Sequence, residues 1–184
     1  RSGADAKLVQ VAPPAIVTSV ENNLALALKA LNRFPEAEAI LVRVLAAREK
    51  ALGPDHEGVA VSLNNLAALF TTQGRLLEAE PLYTQALDIR RRRAPKAPET
   101  GESLNNPGHL YWVLGRLSQA EHLFKEALAL LPDQSDTAFL FATYLNNLAQ
   151  VYRDQARYLE AEPLANRVVE IRKKLPPNHP DYAQ

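Results

Sequence analysis

The sequence of 184 residues contains no cysteine and no methionine, and its single tryptophan is Trp112. The absence of cysteine excludes disulfide bonds and thiolate ligands for a metal, but it does not settle the cellular compartment. Because methionine is missing even at position 1, we expect the chain to be a segment of a longer protein.

The sequence also lacks an excess of charge and any long apolar run. Lys and Arg together number 21, as do Asp and Glu, so nothing favours nucleic acid or an anionic membrane as a partner. No apolar run reaches the roughly 18 residues of a transmembrane helix. No phosphate-binding glycine loop, HExxH or GxSxG motif occurs, and no carboxylates form an evident catalytic pair. We therefore expect no catalysis, no cofactor, no metal and a cytoplasmic location.

What the sequence does contain is a repeat. SLNNLAALFTTQG at 62–74 recurs as SLNNPGHLYWVLG at 103–115 and as YLNNLAQVYRDQA at 144–156, and a fourth copy, ENNLALALKALN, starts at residue 21. In one copy Leu63, Leu66, Ala67 and Phe70 have the spacing of a single helical face. A break that contains Gly74 follows, and a second run repeats the same spacing. Each copy therefore predicts a pair of helices.

The residues of these pairs resemble a known family. The pattern Leu-x-x-Leu-Ala-x-x-Phe/Tyr, then Gly, Ala, Tyr/Phe and Ala, resembles the tetratricopeptide repeat (TPR). The LNNLA start, the EAEPL second helix and the LGPDH linker resemble the 42-residue repeats of kinesin light chains, which also occur in bacterial and nephrocystin-type proteins. The resemblance covers residues from about 18 to 175. It implies an all-α solenoid of stacked antiparallel helix pairs that form a right-handed superhelix.

The repeat frame divides the chain into four units. We expect repeats at 18–58, 59–99, 100–140 and 141–176. Residues 1–17 would be an N-terminal extension or the end of a preceding repeat, and residues 177–184 the start of a truncated fifth repeat.

Prolines mark the irregular positions. In the third repeat Pro107 and Gly108 replace the Leu-Ala of the second and fourth copies, so we expect its first helix to be kinked or to start late, with Asn106 as its N-cap. Pro81 and Pro163 are expected in the first turn of a second helix, where a proline is tolerated.

The resemblance also implies a function. In TPR proteins the first helix of each pair lines a concave groove that binds a protein or peptide. Carried over residue by residue, the candidate groove consists of Asn22, Leu26, Lys29, Val61, Asn64, Thr71, Asn105, His109, Trp112, Asn146, Gln150 and Arg153. Lys29 and Arg153 are its only cations, which disfavours a clamp for a C-terminal carboxylate.

Several interpretations remain open. The ladder of Asn22, Asn64, Asn105 and Asn146 pairs with the backbone of a ligand, or it joins one repeat to the next together with the asparagines that follow it. Trp112 anchors an apolar ligand side chain, or it fills a gap beside Pro107. The cationic IRRRRAPK stretch at 89–96 is interpreted as a solvated helix end. As an alternative function, the array is a structural spacer of a larger protein or self-associates through its exposed ends.

Overall fold

The structure is a computed structural model that describes residues 14–131 and 138–174. This part of the chain forms eight α-helices and no strand. The expected fifth repeat at 177–184 and most of the expected N-terminal segment lie outside the described residues. The helices are α1 (Pro14–Ala30), α2 (Phe34–Leu52), α3 (Glu57–Thr72), α4 (Leu76–Arg93), α5 (Pro98–Val113), α6 (Leu117–Leu130), α7 (Ala138–Asp154) and α8 (Tyr158–Lys174).

The helices stack in pairs as a solenoid. Each odd-numbered helix, called a first helix below, packs against the second helix that follows it, and each second helix packs against the next first helix. The backbones of successive first helices approach one another closely, whereas in the described part successive second helices meet through side chains, as in the pair of Arg91 with Glu126. The first helices therefore form the inner layer of the stack. The predicted all-α solenoid of helix pairs is confirmed.

The turn inside each pair has one conformation in all four repeats. A residue with positive φ follows each first helix, at Asn32, Gly74, Gly115 and Ala156, with φ between 58° and 74°. The next residue's N–H then bonds back to a carbonyl of the first helix, as in Arg75 to Phe70 at 2.9 Å. Only two of the four positions have glycine, the residue for which this conformation costs least.

Pro107 does not interrupt its helix. Helix α5 runs continuously from Pro98 to Val113, so the prediction that it starts late, at Asn106, is wrong; the alternative of a kink stays a prediction. Pro107 and Gly108 are both buried. A Cβ at Gly108 would lie 2.8 Å from Cε1 of Phe124, whose side chain is fully buried. The Pro-Gly pair therefore gives Phe124 the space that Leu-Ala occupies elsewhere, and the aromatic packing offsets the cost of proline in a helix.

The other two helical prolines also lie deeper than expected. Helix α4 begins at Leu76 and α8 at Tyr158, so Pro81 and Pro163 fall in the second turn and not in the first. Both prolines are exposed. Because this side of each helix faces solvent, water can hydrate the carbonyl that the missing N–H would otherwise bond.

Arginines at the ends of second helices join successive repeats. Nη1 of Arg48 donates to the carbonyl oxygen of Gly58 at 3.1 Å and to the hydroxyl of Ser62 at 2.9 Å. One repeat later, Arg90 is only 4 % exposed and donates to Glu57 of α3 and to the carbonyl oxygen of Glu99 of α5. The interpretation of the cationic stretch as a solvated helix end is therefore wrong for Arg90.

Candidate functional site

The predicted groove residues all lie on first helices, but their accessibility differs. Asn22 and Asn64 are buried, with 8 % and 7 % of their surface exposed. The exposed members are Leu26, His109 and Arg153. The remaining members are half-buried: Lys29, Val61, Thr71, Asn105, Trp112, Asn146 and Gln150. A ligand on the inner layer could therefore contact the exposed and half-buried members more readily than the buried asparagines.

The asparagines form bonds between repeats. Nδ2 of Asn65 donates to Oδ1 of Asn22 at 2.7 Å, and Nδ2 of Asn147 donates to Oδ1 of Asn105 at 2.8 Å. Each bond joins the first asparagine of one repeat to the second asparagine of the next but uses only the oxygen of the first. The amide group of Asn22 or Asn105 thus keeps donor capacity that the bond between repeats does not use.

The second repeat departs from this pattern. Nδ2 of Asn64 donates to the hydroxyl of Ser103 at 2.9 Å, and its Oδ1 is buried with no hydrogen-bond partner among the described residues. Thr71, the other polar candidate of α3, donates its hydroxyl to the carbonyl oxygen of Ala67 at 2.9 Å. The polar groups of α3 are therefore largely engaged within the stack.

An aromatic and charged patch lies where α5 meets α7. Nε1 of Trp112 donates to a carboxylate oxygen of Asp154 at 2.7 Å, and the rings of Trp112 and His109 meet edge to face, with centroids 5.4 Å apart. Asp154 also lies 3.5 Å from Nε of Arg153. These four residues, called the Trp112 patch below, place a half-buried indole beside three exposed polar side chains.

Desolvation lowers the pKa of two basic side chains of the inner layer. Although the side chain of His109 is exposed, partial desolvation of its ring lowers the pKa of His109 from its usual value, so the neutral imidazole predominates near pH 7. Burial also lowers the pKa of Lys29. With Arg153 paired to Asp154, the Trp112 patch has no excess charge, which suits an uncharged or apolar group of a ligand better than a carboxylate.

An ion-pair ladder, which the sequence reasoning missed, runs along the stack. An arginine immediately before the second helix of each of the last three repeats reaches a glutamate of the preceding second helix. The pairs are Arg75 to Glu38 at 2.6 Å, Arg116 to Glu80 at 2.7 Å and Arg157 to Glu121 at 2.7 Å. The signal was present, because these arginines and glutamates recur at the repeat spacing of 41 or 42 residues.

The last repeat has an open cavity of about 320 Å³. Its polar lining includes the candidates Asn146, Gln150 and Arg153, and Ala165 contributes to its apolar floor. Ala165 stands where the third repeat has Phe124, and this shorter side chain leaves the space open. Oε1 of Gln150 is buried without a hydrogen-bond partner among the described residues.

Two kinds of feature are absent from the described part of the chain. No three or more His, Asp or Glu side chains converge in an arrangement that could hold a metal ion. No helix between residues 14 and 174 is both long enough and apolar enough to cross a membrane.

Comparison with known proteins identifies the repeats. A tetratricopeptide repeat model matches residues 17–92 and 73–133, and a second model of that name matches 141–181. Nephrocystin-3 of Xenopus tropicalis and that of Xenopus laevis are each 44 % identical over 59 residues, which is 32 % of this chain and only 4 % of the relative.

Solved structures show the same fold. The crystal structure of BtubC (BKLC) from P. vanneervenii has a TM-score of 0.80 and 23 % identity, over 95 % of this chain and 71 % of that one. A structure of kinesin-light-chain TPR-like repeats from Podosopora anserina has a TM-score of 0.75 and 24 % identity, over 92 % and 82 %. Repeats of this kind are scaffolds for protein interaction. The chain therefore belongs to the tetratricopeptide repeat family, and its fold is of the kinesin-light-chain-like type.

Proposed function

We propose that this scaffold binds a peptide or an extended protein segment along the inner layer of first helices, and that the Trp112 patch is its main anchor. The observation that carries the proposal is the half-buried indole of Trp112, held by Asp154 and by the ring of His109. Aromatic side chains that are fixed in place and partly desolvated give most of the binding energy in many protein interfaces.

Ligand recognition would combine apolar and amide contacts. Leu26 and Val61 offer apolar surface on α1 and α3, and Trp112 offers it on α5. The amide groups of Asn105 and Gln150 can bond a ligand backbone without reading its sequence. Asn22 and Asn64 contribute mainly to the stack because both are buried and bonded to neighbouring repeats.

The proposal assigns no catalytic step to the chain. TPR arrays are scaffolds of a non-catalytic type, and the mechanism proposed here is recognition alone. The partner would be a protein or peptide, with no cofactor, nucleic acid or membrane required.

The alternative function is a rigid structural spacer within a larger protein. The observation in its favour is the number of side-chain bonds between repeats, which include the asparagine bonds and the ion-pair ladder. A spacer needs these bonds but does not need an accessible aromatic patch. Ligand binding at the Trp112 patch therefore separates the two functions.

The test begins with peptides selected from a displayed random library against the full chain. The affinity of a selected peptide is then measured for the wild-type chain and for a variant with His109→Ala and Arg153→Ala. This variant changes two exposed side chains of the Trp112 patch. We expect at least about a tenfold weaker affinity for this variant.

A matched control changes the same residue types on second helices. His122→Ala with Arg92→Ala removes a histidine and an arginine whose side chains are 77 % and 60 % exposed, and Arg92 is paired with an aspartate as Arg153 is. We expect this control variant to bind the peptide like the wild type. Equal affinity of both variants, or a selection that enriches no peptide, would contradict the proposed function.

A further inference from the structure

The first helix of the array has an apolar face that no described residue covers. Ile16, Val20 and Leu24 lie along one side of α1 and are 51 % to 62 % exposed. In the second repeat, Leu66 of α3 occupies the position of Leu24 and is 5 % exposed, because α2 packs over that face. The outward face of α1 is thus built like a surface that receives a second helix.

The last helix has the matching surface. Tyr158 and Val169 of α8 are 63 % and 50 % exposed, and Ala165 lies between them at the floor of the 320 Å³ cavity. The corresponding residues of α6 are Leu117, Phe124 and Leu128, which pack in one cluster with Leu148 and Val151 of α7. The outward face of α8 is thus built like a surface that receives a first helix.

The polar groups at the two ends complement each other. Among the described residues, Arg33 is the ladder arginine that has no glutamate partner from a preceding second helix. At the other end, Glu162 occupies the position that Glu121 has in the repeat before, where Glu121 accepts from Arg157. In the asparagine pattern, Asn23 stands in the donor position of Asn65, and it is exposed. Asn146 stands in the acceptor position of Asn22.

We propose that copies of this chain stack head to tail, with α1 of one copy docking on α8 of the next in the register that α7 has against α6. In this register Arg33 meets Glu162, Asn23 donates to Asn146, and Leu24 enters the cavity above Ala165. The contact joins two different surfaces, so it does not close into a symmetric dimer but continues from copy to copy. The exposed ion pair contributes little affinity but disfavours other registers.

The first experiment measures the mass of the full chain by sedimentation velocity at increasing concentration. We expect a weight-average mass that rises past that of a dimer without a plateau. Leu24→Asp removes the apolar side chain from the contact and should raise the dissociation constant about tenfold to a hundredfold. Leu77→Asp is the matched control, because Leu77 is 76 % exposed in the middle of the array, and it should not change the mass.

Two further variants test the register. Arg33→Glu should weaken stacking, and the double variant Arg33→Glu with Glu162→Arg should restore it, because the charges are exchanged but remain complementary. Since the chain has no cysteine, Asn23→Cys and Asn146→Cys can also be placed on separate chains and joined by a short thiol cross-linker. Asn22→Cys with Asn65→Cys in one chain is the positive control, because these positions are joined at 2.7 Å within the chain.

The results separate this inference from the groove proposal. The single variant His109→Ala, which leaves the lining of the 320 Å³ cavity unchanged, should bind peptide weakly but stack like the wild type. Cross-linking that requires both cysteine chains supports the register. A chain that stays monomeric at every concentration, as expected if residues outside the described part cover either end, would overturn the inference, as would a mass that stops at a dimer.

Discussion

Arg90 offers the sharpest test of how the repeats hold together, because Arg90 forms a buried contact whereas Arg91, the next residue, forms an exposed ion pair. Arg90 is buried and joins α3, α4 and α5 through its bonds to Glu57 and to the carbonyl oxygen of Glu99. Arg91 is 41 % exposed in its side chain, and among the described residues its ion pair is with Glu126 of α6. Replacing each with methionine keeps the aliphatic stem but removes the charged donors.

The expected magnitudes differ severalfold. A hydrogen bond from a charged group contributes about 1.5–3 kcal/mol, and Arg90 forms two of them. Glu57 is 42 % exposed in its side chain, so after Arg90→Met water can hydrate its carboxylate and recover part of the loss. We expect Arg90→Met to lower the free energy of unfolding by about 2–4 kcal/mol. Arg91→Met removes an exposed pair and should cost about 0–1 kcal/mol.

The assay is thermal unfolding together with hydrogen exchange. At this chain length about 1 kcal/mol shifts the melting temperature by 2–4 °C, so Arg90→Met should lower it by roughly 5–15 °C. Because repeat arrays can unfold in part, exchange should increase first at the backbone amides of α4 and α5. Equal melting temperatures for the Arg90→Met and Arg91→Met variants would refute the assignment of Arg90 as the residue that joins these repeats.

Three further substitutions test the packing, each by urea unfolding. Gly108→Ala forces a Cβ against Phe124 and should lower the free energy of unfolding by about 1 kcal/mol, even after the gain in helix propensity. Adding Phe124→Leu should recover that loss. An unchanged or raised stability for the single variant would contradict the close contact. Ala156→Gly relieves a φ of 59° and should gain about 0.5–1 kcal/mol, whereas a loss would argue against that turn. Tyr144→Phe removes a buried hydroxyl that has no partner among the described residues and should be neutral or stabilising by about 1 kcal/mol; a large loss would reveal a partner for that hydroxyl.

Much of the architecture could be predicted from the repeat itself. A solenoid forms most of its contacts within a repeat or between neighbours, so the spacing of Leu63, Leu66, Ala67 and Phe70 predicts both the helix and the face that packs. The break at Gly74 could also be predicted, because glycine readily adopts the positive φ that the turn between the two helices requires.

The features that were missed depend on contacts between distant residues. Local propensity counts Pro107 and Gly108 as helix breakers, but α5 is continuous because Phe124 of the next helix packs against Gly108. Charge alone does not tell which of four consecutive arginines is buried, but the repeat register aligns Arg90 with Arg48, and the interpretation as a solvated helix end did not use that signal. The asparagine columns could be seen, but which atom bonds to which repeat required the register of the stack.

The most direct question about this protein is whether the inner layer of first helices around Trp112 is the ligand-binding surface. Trp112 is the only tryptophan, so fluorescence excited at the red edge of the absorption band, where the six tyrosines hardly absorb, reports on this position alone. The measurement is a titration of the chain with a library-selected peptide free of tryptophan, followed by Trp112 emission and its quenching by acrylamide. The account predicts a saturable change in emission and reduced quenching, at the concentrations where binding is measured independently. A peptide that binds while Trp112 emission and quenching stay unchanged would contradict it.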